Sequence, residues 1–103
     1  MADLMKFLQQ AQEMQGKFQK LQEELALQTV KASSGGGMVT VEATGQGTVR
    51  SIKIDPSVVS SSDVEMLEDL LLVAVTEAQK KAQEIAQQEM GKLTGGLPFK
   101  LPF

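Results

Sequence analysis

Met38-Val39-Thr40-Val41-Glu42-Ala43-Thr44-Gly45-Gln46-Gly47-Thr48-Val49-Arg50-Ser51-Ile52-Lys53-Ile54-Asp55-Pro56 is the stretch on which the fold turns. Val39 and Val41 alternate with Met38, Thr40 and Glu42, the period-two pattern of a strand with one buried face. Gly45-Gln46-Gly47 breaks the pattern as a turn. The alternation then resumes, with Arg50, Ile52 and Ile54 on one side of the pleat and Val49, Ser51 and Lys53 on the other. Ile52 and Ile54 are expected to face the core. Asp55-Pro56 stops the strand, because proline has no N–H for the ladder and biases the residue before it toward extended geometry. Upstream, Ser34-Gly35-Gly36-Gly37 is a turn and Thr29-Val30-Lys31-Ala32-Ser33 alternates weakly. Three short strands joined by glycine turns predict an antiparallel meander.

Helical patterns flank the meander. Residues 3–28 contain no proline and are rich in Gln, Glu, Lys, Leu and Met, all good helix formers. Their apolar positions, Leu4, Phe7, Ala11, Met14, Phe18, Leu21 and Leu25, are spaced 3 and 4 apart in strict alternation, a heptad seam. The seam can pack on the chain's own sheet, on a partner helix, or on both at different ends. After Pro56, Ser62 and Glu65 have the spacing of a capping box. Glu65, Glu68 and Asp69 put negative charge near the positive end of a second helix dipole. That helix is expected over residues 63–92, with Val64, Leu67, Leu71, Ala74, Ala78, Ala82 and Ile85 as its main stripe. Leu70, Leu72, Val73 and Val75 carry the apolar surface nearly all the way round for two turns, and a helix apolar on every side is buried on every side. Three short strands are too little material to cover it, which predicts a homodimer. Leu67, Leu70, Leu71, Ala74, Val75 and Ala78 are its expected interface.

The result is an α+β chain of αβββα type: one domain over residues 1–94 and a Gly/Pro-containing, flexible C-terminal tail over 95–103. With 103 residues and 42% hydrophobic content the chain has room for one modest core. No apolar run approaches the roughly 20 residues that span a bilayer. The N-terminal residues show no basic segment followed by an apolar one, so a cytoplasmic location is expected.

Absences narrow the chemistry further. The sequence has no Cys, His, Trp or Tyr. Ser-His-Asp and Cys-His nucleophiles and Cys/His zinc sites are thereby excluded. No carboxylate sits in a context that would fit it for acid–base work, and no catalytic residue, metal site, cofactor or small-molecule substrate is expected. The glycine turns lack the Lys-Ser/Thr and the following helix of a phosphate loop.

Binding is the remaining class. The formal net charge of −3 argues mildly against nucleic acid, yet local patches outweigh the sum. On the first helix Lys6, Lys17 and Lys20 fall within about 60° of one another at 100° per residue, away from the seam. Glu13–Lys17 and Lys20–Glu24 are i,i+4 pairs that could turn this face into a solvated, ion-paired surface. Arg50, Lys53, Lys80 and Lys81 complete the candidate phosphate contacts. The four phenylalanines lie on apolar stripes or in the tail, so there is no stacking platform for single strands. For each lysine taken singly a solvated, ion-paired face is the simpler reading; a dimer doubles every patch, and with so few cations any binding to double-stranded DNA is expected to be weak, strongly salt-dependent and sequence-tolerant. The rival reading is a protein-interaction scaffold working through the heptad seam and the apolar tail.

Several pieces of the chain together resemble the bacterial YbaB/EbfC nucleoid-associated proteins. They are Leu4-Met5-Lys6 through Met14-Gln15 to Leu21-Gln22-Glu23-Glu24, then Gly36-Gly37-Met38-Val39-Thr40-Val41, Gly45-Gln46-Gly47 and Val49-Arg50-Ser51-Ile52-Lys53-Ile54-Asp55-Pro56. Glu65-Met66-Leu67-Glu68-Asp69-Leu70 and Phe99-Lys100-Leu101-Pro102-Phe103 follow. Order and spacing carry the likeness, which covers nearly the whole chain. The resemblance implies an αβββα protomer and an intertwined homodimer with projecting helices. It also implies DNA binding tied to nucleoid organisation or gene expression, and a cytoplasmic, nucleoid-associated location. It supplies no strict DNA-contact motif.

Overall fold

In a computed structural model, which describes residues 2–94, α1 (Ala2–Leu27) leads into β1 (Thr29–Ser34), β2 (Val39–Thr44) and β3 (Val49–Ile54), and α2 (Val64–Thr94) closes the fold. This is the expected αβββα order. The sheet is antiparallel with strand order β1-β2-β3. Single 3-10 turns, Gly35–Gly37 and Pro56–Val58, sit at two of the connections. The tail expected over 95–103 lies outside the described residues.

The register pairs Val30 with Ala43, Ala32 with Val41 and Ser34 with Val39, and directly opposed residues share a face. Onto that face α2 lays Ala74, Ala78 and Ala82, all fully buried against Val39, Val41 and Ala43. Alanines one turn apart let a helix approach a sheet closely, and removal of this apolar surface from water supplies the main stabilisation. Polar contacts fix the helix along its length. Ser34 Oγ donates to the Leu70 carbonyl at 2.6 Å, Lys81 Nζ to the Lys31 carbonyl at 2.7 Å, and Gln79 Nε2 to the Gly47 carbonyl at 3.2 Å.

The structure alters several expectations. Ile52 and Ile54 oppose Val41 and Val39, so they do lie on the core-bearing face. They stay 45% and 37% exposed because α2 packs on β1 and β2, and β3 is the uncovered edge. Arg50 does not keep step with them. A bulge opposite Glu42/Ala43 passes it over in the register, and an extra residue breaks a strand's alternation. Val49, paired with Ala43, takes the core side instead. Ala74 and Ala78, expected at a dimer interface, are enclosed by the protomer's own sheet and have no surface left to offer. The α2 cap is Asp63 and not Ser62: Asp63 Oδ1 accepts from Met66 N at 3.2 Å, while Ser62 Oγ pairs with Ser60 Oγ at 2.8 Å.

Candidate nucleic-acid interface

Only the C-terminal end of α1 is built into the body. Leu21 and Leu25 are buried, whereas Phe7 and Phe18 remain 65% and 41% exposed. The heptad seam therefore serves the fold at one end and projects bare at the other, and the molecule extends 72 Å along its long axis.

The β2–β3 turn fixes the root of this arm. Gly45 N donates to the Leu25 carbonyl at 2.9 Å and the Gln28 carbonyl at 3.2 Å. Gln46 Nε2 donates to the Gln22 carbonyl at 3.0 Å, and Arg50 Nη2 reaches the Ala26 carbonyl at 3.5 Å. The Leu25 and Ala26 carbonyls belong to the last turn of α1, which has no i+4 amide to bond them, and the guanidinium suits the negative end of the helix dipole. The approach is close: a Cβ on Gly45 would lie 2.7 Å from the Leu25 carbonyl oxygen.

Lys6, Lys17 and Lys20 are all exposed on α1. At 3.6 residues per turn they share a face about 120° from the seam. The ion pairs expected to neutralise them do not form. Among the described residues the ion pairs are Lys31–Glu42 and Lys92–Glu89, both at 3.3 Å, so neither Glu13–Lys17 nor Lys20–Glu24 closes. The antiparallel passage of α2 past α1 adds one cation that sequence reasoning left out. A concavity lined by Lys17, Lys20, Leu21 and Glu24 from α1 and by Glu89, Lys92 and Leu93 from α2 brings three lysines and two glutamates together, with Lys92 paired to Glu89. Nothing local in the sequence marks Lys92 for this; only the docking of the two helices does.

The other candidate cations divide by role. Lys53 and Lys80 are exposed, on β3 and α2. Arg50 and Lys81 each donate to a backbone carbonyl and hold α1 and α2 in place. The acidic Glu65, Glu68 and Asp69 lie at the opposite end of α2 from Lys92. Asp55 has a local structural duty. Its Oδ1 accepts from Ser57 N at 2.8 Å, and that backbone hydrogen bond, with help from the Ser57 side chain, holds its carboxyl below the ordinary carboxylate value.

A sheet covered by one helix, with a second helix carried outward as a lysine-bearing arm, defines an αβββα protein with a projecting helix that exposes Lys6, Lys17 and Lys20. The YbaB/EbfC DNA-binding family model matches residues 1–97, and the chain belongs to that family, which is a DNA-binding and not an enzymatic one. It is 53% identical to a nucleoid-associated protein of Gemmatimonas aurantiaca over 98% of this chain and 99% of that one. With a nucleoid-associated protein of Brucella ovis the identity is 44% over the full length of both. The structure superposes with a TM-score of 0.79 on the crystal structure of an uncharacterized protein, HP0035, from Helicobacter pylori, at 26% identity over 86% of this chain and 94% of the other. No helix among the described residues is long and apolar enough to cross a membrane.

Proposed function

We propose that the protein is a homodimeric, nucleoid-associated DNA-binding protein with little sequence preference, which organises the nucleoid and thereby modulates gene expression. The observation that carries this reading is the lysine face of the projecting α1, exposed and without ion pairs among the described residues, with Lys92, paired to Glu89, at its root. Cations on one side of a rigid rod follow a phosphate backbone, which carries no base identity. Their small number makes the binding weak and steeply salt-dependent. Family membership and the relatives' names point the same way.

The dimer is supported by the uncovered edge. Ile52 and Ile54 are exposed on the core-bearing face. Gln79 bonds to the β2–β3 turn and Lys81 to β1, so the helical wheel puts Leu71, Leu72 and Val75 on the β3 side of α2. Five apolar side chains on one face form a surface that a second copy would cover. Of the interface residues expected from sequence, Leu71 and Val75 belong to this face, Leu67 lies nearer the core, and Leu70 lies on the β1 flank. Two copies then present two arms, and every phosphate interaction is doubled.

The test is a titration of random-sequence duplex DNA at low and moderate salt, with light scattering on the same sample. The reading requires a mass near twice 11.1 kDa and binding that weakens steeply with salt. Absence of any shift at low salt with micromolar protein ends the DNA reading.

A further inference from the structure

The bare part of the α1 seam has a candidate occupant in the chain itself. Phe7 and Phe18, with Leu4 and Leu8, are exposed large apolar side chains on or beside one stripe of the arm. Leu4, Phe7 and Leu8 lie beyond Lys17, the outermost α1 residue of the concavity that α1 shares with α2. Leu93 lines the same concavity as Lys17, Lys20 and Leu21, so α2 ends close to where the uncovered seam begins. The residues that follow Thr94 read Gly95-Gly96-Leu97-Pro98-Phe99-Lys100-Leu101-Pro102-Phe103. Leucine and phenylalanine hold every odd position from 97 to 103. Two prolines and one lysine hold the even positions between them.

We propose that this C-terminal segment runs back along its own protomer's α1 in extended form and covers the exposed seam with Leu97, Phe99 and Leu101. Proline removes the helical alternative and biases Leu97 and Leu101 toward extended backbone. An extended chain turns alternate side chains to one side, about 6.5 Å apart. The seam repeats every 3.5 residues on average, about 5.3 Å along the helix. Three successive side chains therefore drift out of step with the seam by only about 2–3 Å. Reach also agrees. Nine extended residues cover about 30 Å, against about 21 Å from Phe18 to Leu4 along the helix. The exposed apolar residues near the start of α2, Met66 and Val73, lie more than about 30 Å from Thr94 along the helix axis. On this arrangement Pro98, Lys100 and Pro102 face water, and the lysine face of α1, about 120° away, stays open to phosphate.

The chain has neither tryptophan nor cysteine, which makes full-length reporters simple. Phe7→Trp gives a single tryptophan on the seam. Its emission should be that of a shielded indole, and it should move to the red when Leu97, Phe99, Leu101 and Phe103 are all replaced by serine. Amides of α1 near residues 4–14 should exchange roughly tenfold faster in that serine variant while β2 amides are unchanged. Equal emission and equal exchange in both proteins overturn the proposal. So does shielding that ignores the serines and disappears on dilution, since a second copy would then be the cover. A separate variant, Phe7→Cys with Phe99→Cys, decides the matter while leaving the other apolar residues of the tail in place. An intrachain disulfide under mild oxidation supports the docking, whereas interchain or absent disulfides refute it.

Discussion

Replacement of Gly45 by alanine tests how the arm is seated. The new Cβ would stand 2.7 Å from the Leu25 carbonyl oxygen and 3.2 Å from both Leu25 Cα and Leu25 Cδ2. Two of these atoms are backbone, so no rotamer change relieves the clash. The chain can escape in two ways. It can let α1 lift off, exposing Leu21 and Leu25 at about 1.5–3 kcal/mol for each side chain. Or it can keep α1 seated and absorb the strain, at about 1–3 kcal/mol for an overpacked site. The second is cheaper, so α1 should stay docked on a strained turn with a stretched Gly45 N–H bond to Leu25. For a folded unit of this size the loss corresponds to a fall in Tm of about 5–20 °C. Thermal unfolding followed by circular dichroism, at one fixed protein concentration because association shifts Tm, measures it. Two other glycines calibrate the result. Gly47 has nothing within 4 Å of an added Cβ but a φ of +89°, so Gly47→Ala should cost only the left-handed penalty of about 1–2 kcal/mol. Gly16 sits in the open arm with nothing within 4 Å, so Gly16→Ala should strengthen the local helix by about 0.5–1 kcal/mol. A Gly45→Ala protein that melts with the wild type would refute the close seating of α1 on the β2–β3 turn.

Three further outcomes follow from the same geometry. Ile52→Asp places a carboxylate on the uncovered face of β3 and should lower the mass in light scattering to one 11.1 kDa chain; an unchanged mass removes Ile52 from the interface. Lys17→Gln, Lys20→Gln and Lys92→Gln should each reduce the slope of log K against log salt by about 0.9 for each phosphate no longer neutralised, whereas Lys81→Gln should leave the slope unchanged and lower stability, because its ammonium holds α2 to the Lys31 carbonyl. The Asp55 carboxyl is lowered below its ordinary value of 3.8 in the folded chain. Its contribution to stability is therefore complete above that value and fades as pH falls through the lowered one. Asp55→Asn should flatten the acid limb of a Tm-against-pH curve, and an identical limb in both proteins would count against the Ser57 N–H bond.

The fold was legible because its signals are local. Period-two alternation at Val39 and Val41, glycine turns and the 3–4 spacing of α1 each announce an element within a few residues. What escaped were consequences of long-range placement. Alternation alone puts Arg50 with Ile52 and Ile54, and only the bulge releases it to the end of α1. Hydrophobicity alone cannot rank α2's many apolar residues between core and interface. Ala74 and Ala78 went to the protomer's own core because an alanine stripe fits closest to a sheet, while the bulkier Leu72 was left outside. The lysine face was legible as a face, since 100° per residue fixes it. Its neutralisation by Glu13 and Glu24 was the reasonable expectation for i,i+4 spacing, but such pairs stabilise a helix by only a few tenths of a kcal/mol. An interaction that weak does not hold an ammonium against a phosphate, so even a solution population of those pairs would leave the arm's cations available. The acidic net charge and DNA binding are compatible for this reason: the negative charge at the start of α2 complements a helix dipole, and that of α1 is too loosely engaged to close the lysine face.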